Sequence, residues 1–273
     1  MSESRASFKT VVLLAPLLGA VLALHAWGDG AADRIGRQVD LWQYPEISRP
    51  PFLLRLPRRV GDETLVSEVL TKFPDECVRS FGALLDLHPP APGVQVILLG
   101  SDGASWRLAG EAGRPLEKND SVYDPERRAI LVRMEPAIEQ SRVLDALRRG
   151  IARLLLYDAG SSRLMPWLRE GLVGLLENSK AADAKASGED LPALDLLLTA
   201  REASFRGLDG APYARGSRLL AAWLLETHPT EFAAYCRASR LEGEVRLSRY
   251  IETFATNPVG EQAAWRDWLQ RQK

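Results

Sequence analysis

Ser141–Asn178 reads SRVLDALRRGIARLLLYDAGSSRLMPWLREGLVGLLEN, and its two apolar patterns decide the fold. Val143, Leu147, Ile151, Leu154 and Leu155 recur at helical spacing, which predicts an amphipathic helix driven into a core. A turn follows at Asp158 to Ser162. Pro166 then suits the first turn of a second helix, because that position has no intrahelical use for an N–H. Trp167, Leu168, Leu172, Leu175 and Leu176 give the second helix its buried face. Two consecutive buried helices make a helical hairpin.

Trp167-Leu168-Arg169-Glu170-Gly171-Leu172-Val173 resembles the second active-site helix of the gluzincin metallopeptidases, in particular the peptidase MA-like families, which read Trp-Leu-x-Glu-Gly-Leu-Ala. In such families the preceding helix carries His-Glu-x-x-His. Residues four apart lie on one helix face, so two imidazoles reach one zinc while the glutamate between them activates the bound water. Aligned with that motif, this chain has Arg149 at the first histidine, Gly150 at the catalytic glutamate and Arg153 at the second histidine. Of the ligand positions, Glu170 alone survives. The three histidines, His25, His88 and His228, fall far from the hairpin in sequence. The resemblance therefore implies a metallopeptidase-like fold that has lost its chemistry, with no catalytic residue, no metal and no cofactor.

Arg149 and Arg153 are four apart and share a helical face that, in the family's geometry, looks at Glu170. One reading places a guanidinium in the space vacated by zinc, paired with the orphaned carboxylate. The other leaves both arginines in solvent beside Arg142 and Arg148. Gly150 stands mid-helix, where glycine costs about 0.5–1 kcal/mol relative to alanine. It either admits a neighbour or is drift after loss of the glutamate, and drift is the reading taken. Trp167, Tyr123 and Tyr213 are the candidate lining of a cleft between the sheet edge and the hairpin. Related peptidases use a tyrosine like Tyr213 to stabilise an oxyanion; here a structural role fits better.

The upstream order agrees with the resemblance. Phe52–Leu56 reads as a strand, Asp62 caps a long helix through Leu85 that Pro74 should kink, and Val94–Leu99 is a buried strand. Val122–Val132 reads as strand, turn, strand, and in the relatives the Tyr-Asp-Pro hairpin supplies the edge along which a substrate lies. Downstream, helices are expected over Leu191–Ala200, Tyr213–Glu226, Thr230–Ser239, Val245–Phe254 and Glu261–Arg271. Ala181–Glu189 reads as a flexible loop. The fold class is thus α+β: a small N-terminal sheet with one long helix, then the hairpin and a helical C-terminal lobe. The domain spans 52–273, divided into an α/β lobe at 52–138 and a helical lobe at 139–273.

Before the domain, Arg5 and Lys9 precede the apolar stretch Thr10–Trp27, the pattern of an export signal. Leu24 spoils the small-residue cleavage site, so residues 1–28 are read as a transmembrane signal anchor, with a cleaved, secreted form as the alternative. Residues 29–51 read as a linker. The body is then expected outside the cytoplasm, at the cell envelope, where Cys77 and Cys236 either pair or stay buried as thiols.

Composition narrows the function classes. Charged residues make up 26%, hydrophobic residues 46% and the formal net charge is −1, with no basic excess for a nucleic acid. No Gly-x-Ser-x-Gly, Cys-His signature or phosphate-binding glycine loop is present. His88 and His228 both precede proline and read as surface or capping residues. The function expected is a pseudo-peptidase that binds an extended peptide or envelope protein, or acts as a scaffold. The alternative is a hydrolase rebuilt around Glu170, and a purely structural subunit is the third reading. A groove filled by arginine would favour the structural role over the binding one.

Overall fold

A computed structural model describes residues 46–56, 63–99, 121–133, 140–177, 191–205, 210–242, 247–254 and 257–271. Strand β1 (Glu46–Arg49) turns through the cis Pro50–Pro51 bond into β2 (Phe52–Arg55), its antiparallel neighbour. Helix α1 (Glu63–Leu85) leads to β3 (Val94–Leu99), which lies parallel to β2. Strands β4 (Ser121–Asp124) and β5 (Ala129–Arg133) form a hairpin, and β5 joins β3 in parallel. The sheet runs β1-β2-β3-β5-β4, which puts β4 at its end.

The hairpin turn is built by Asp124, whose Oδ1 accepts the Glu126 and Arg127 amides at 3.0 and 3.3 Å, while Arg128 takes φ 48°. A carboxylate that mimics a turn's own carbonyl is a common reason for Asp at this position. Every residue of β5 is buried, Arg133 at its end included, and the apolar run Ala129–Val132 suits a strand flanked on both sides in the sheet.

The helical part begins with α2 (Gln140–Asp158) and α3 (Pro166–Glu177). Between them Gly160 adopts φ 83° and Ser161–Arg163 forms one tight turn, which reverses the chain into a hairpin. Helix α2 lies on β4 and β5 and packs against α1. Then come α4 (Leu194–Leu198), α5 (Gly210–Thr227), α6 (Pro229–Glu242), α7 (Leu247–Phe254) and α8 (Pro258–Arg271). This is the α+β architecture that the patterning implies. Gly171 explains the close pairing of α3 with α5: a Cβ there would meet the Ser217 carbonyl and Ala221 Cβ, both at 2.8 Å. Arg240 of α6 ties the two halves by donating to the Leu85 carbonyl at 2.7 Å and the Ala159 carbonyl at 3.2 Å. Both carbonyls lie where a helix runs out of its own donors.

Several expectations are corrected. The linker reading of 29–51 fails at its end, because Glu46–Arg49 form β1; with only Ile47 as a large apolar side chain, this strand gives little signal until β2 pairs with it. Among the described residues no helix is long and apolar enough to cross a membrane, so none of them supplies the expected transmembrane segment. The Thr10–Trp27 stretch on which that expectation rested lies outside the described residues, as do Asp62 and the Ala181–Glu189 loop. Helix α1 continues through Pro74, which is buried. Cys77 and Cys236 are buried free thiols, and burial pushes each up to about 12. Neither has thiolate character near neutral pH.

Candidate functional site

Arg149 and Arg153 of α2 turn inward, toward carboxylates on α3. Arg149 Nε donates to Glu177 Oε1 at 2.8 Å, and the Glu177 side chain is only 7% exposed. One turn along α2, Arg153 stands 3.7 Å from Glu170 Oε2. The pairing is antiparallel, as two helices joined by a tight turn require. Arg153 also donates to the Ser121 backbone carbonyl, at the start of edge strand β4. Arg169 lies 4.0 Å from Glu170 and pairs with Glu202.

Glu177 is the centre of this ladder, and the sequence reading did not single it out. Its signal was available: it follows Glu170 by seven residues, two helical turns, so both face α2. Burial pushes its carboxyl above the usual glutamate range, against the pull of Arg149, Arg218 and Arg153. Arg218 reaches the cluster from α5, lying across Gly174 in the space a Cβ would need.

Gly150 is not drift. A Cβ there would run into Ile130 Cγ2 of β5 and touch Ser121 Cβ and Oγ at 3.4 Å. The sheet packs directly on this position, and a side chain does not fit there.

The three candidate cleft residues separate. Trp167 is fully buried and lines no groove; its ring stacks on Tyr235 at 6.0 Å and meets Tyr250 edge-on at 6.4 Å. An indole is the largest apolar surface available, so a core claims it. Tyr213 packs edge-on against Phe205 at 5.8 Å and is half-buried. Tyr123, on the edge strand, packs against Tyr157 at 5.5 Å, and burial with nearby Asp158 pushes its hydroxyl up to about 12. That leaves it a neutral phenol. His88 is exposed, as read, but His228 is not a plain surface residue: its ring sits between Trp223 at 6.1 Å and Phe254 at 5.9 Å.

Arg149, Gly150 and Arg153, at the positions that the resemblance gives to the zinc motif, do not fit a zinc ion. A guanidinium has no lone pair to give and does not lose its proton, so Arg149 and Arg153 cannot replace imidazoles. Among the described residues no group of three or more His, Cys, Asp or Glu is placed to hold a metal. What the arrangement can do is carry charge: guanidiniums supply the positive charge beside Glu170 and Glu177 that a cation would otherwise supply. A comparison with known protein families finds no match to this chain, and a comparison with curated proteins finds none either.

Proposed function

We propose that this chain is a catalytically inactive, metallopeptidase-like protein whose hairpin serves as a scaffold. One observation carries the reading: Arg149 and Arg153, which the gluzincin resemblance aligns with two zinc-binding histidines, are spent on Glu177, Glu170 and the Ser121 carbonyl. A zinc peptidase needs a metal held by lone pairs and a base on α2 at this place; guanidiniums cannot ligate the metal, and Gly150 stands where the base would be. Peptide capture by strand addition along β4 is the less favoured role, since Arg153 already holds a carbonyl of that strand. The arginine-filled groove supports a structural part in an assembly with another protein.

Elemental analysis of the purified full chain after mild dialysis, paired with a casein cleavage assay, tests this. The expected result is less than stoichiometric metal, no cleavage, and a thermal midpoint that a strong chelator leaves unchanged. One tightly held metal per chain, or chelator-sensitive cleavage, would overturn it.

A further inference from the structure

Helix α8 closes the C-terminal lobe, and its docking depends on an unusual contact. Trp265, Trp268 and Leu269 bury its apolar face, Asn257 caps it by accepting the Gly260 amide at 2.8 Å, and Gln262 Oε1 accepts the Leu194 amide at 2.6 Å. In its first turn Glu261 points inward, 8% exposed, toward the aromatic cluster of Trp167, Tyr235, Tyr250 and Phe254. Tyr250 of α7, with no exposed surface, donates its hydroxyl to Glu261 Oε2 at 2.7 Å.

The surroundings of that carboxylate are short of cations. Among the described residues the titratable groups that act on Glu261 are the Tyr250 phenol and the His228 imidazole, the latter at the junction of α5 and α6. Tyr235 of α6 lies behind Tyr250, ring to ring at 5.9 Å. Burial pushes the Tyr250 and Tyr235 phenols upward, so both stay neutral. With Glu261 ionised, the cluster holds a negative charge against aromatic rings. A proton on the carboxyl removes it.

We propose that the buried Glu261–Tyr250 pair is a proton-dependent latch, which docks α8 tightly when the Glu261 carboxyl is protonated and loosens it when that proton leaves. The direction at Glu261 agrees: burial raises its carboxyl above the usual range, against the Tyr250 hydrogen bond and His228. A raised folded-state value means that the stability is fully present below the unfolded value and is lost as pH rises through the folded one. The latch therefore closes as pH falls through the raised folded-state value. This inference is independent of the fate of the hairpin.

The test compares the full chain with Glu261→Gln, which keeps an acceptor for Tyr250 but cannot ionise. Thermal midpoints are read from pH 8 to pH 5. Glu261→Gln should gain on the native chain at pH 8 by about 3–5 °C, the size that a tenfold change in folding equilibrium has in a chain of this length. That gain should vanish toward pH 5. A gap that stays constant across the range overturns the latch. Tyr250→Phe provides the second variant: without the donor, ionised Glu261 is less tolerated, so its deficit should widen as pH rises. Hydrogen exchange, corrected for the intrinsic pH effect, should find α8 amides opening more readily at pH 8 than at pH 5 in the native chain and equally in Glu261→Gln. Equal pH dependence of α8 exchange in both proteins would also overturn the proposal.

Discussion

Two buried carboxylates, Glu177 and Glu261, end up in opposite surroundings. Glu177 is held between α2 and α5 by Arg149, with Arg218 and Arg153 near, while Glu261 meets a phenol and an imidazole. Arginine does not titrate in the working range of a protein, so its charge is permanent, whereas the Glu261 carboxyl, raised by burial, gains and loses a proton. The first cluster is thus built to stay as it is, and the second to respond. Burial raises both carboxyls, but only at Glu177 do fixed cations oppose it.

Removing the fixed cation should break that distinction, with the largest effect. Arg149→Met leaves Glu177 buried with weaker partners and should destabilise the chain by about 2–4 kcal/mol near pH 7.5, within the range for a broken buried pair. The loss should shrink toward pH 5. Without Arg149 the carboxyl rises further above its unfolded value, and stability tied to a raised value is retained below it and lost above. Urea denaturation at the two pH values measures this, and an equal loss at both would mean that Glu177 is not the group left stranded.

A second substitution probes the backing of the arginine cluster. Gly150→Ala pushes a methyl group against Ile130 Cγ2 and should cost about 1–3 kcal/mol, as overpacking does in a filled core. Ile130→Leu moves the branch off Cβ, so in the double variant part of the loss should return. Simple additivity in a double-mutant cycle would show that Gly150 answers to something other than Ile130. The aromatic junction, which shares no residue with this contact, should keep its pH response in both variants.

The hairpin was legible because its signals are local. Pro166 starts α3, Gly160 turns the chain, and the apolar residues of α2 fall on one face. The partners were not legible, because the family pattern marks Glu170 while charge pairing depends on how α2 and α3 are set against each other. Glu177, at 7% exposure, takes the closer bond. Gly150 needed the sheet to explain it, since Ile130 is twenty residues upstream of it. Trp167 was read as cleft lining because of its place in the motif, whereas burial of a large ring decided the matter. His228, Tyr250 and Glu261 come from three separate places in the chain, and no spacing rule joins them.

The smallest expected effect is at the one position that the gluzincin pattern retains. Glu170 has two cations near it, but at 3.7 and 4.0 Å, beyond hydrogen-bond length, and its side chain is 15% exposed. Arg153 keeps the Ser121 carbonyl and Arg169 keeps Glu202 when Glu170 is removed. Glu170→Ala should therefore cost only about 0.5–1 kcal/mol, the upper end for a solvent-screened pair, and less at high salt. Guanidinium-free denaturation in urea, at low and high sodium chloride, reads both numbers. A loss equal to that of Arg149→Met would move the centre of the cluster from Glu177 to Glu170 and make Glu170 the hairpin's main support. A small, salt-sensitive loss would mean that the hairpin does not depend on Glu170, the buried charge that matters lying two turns along the helix at Glu177.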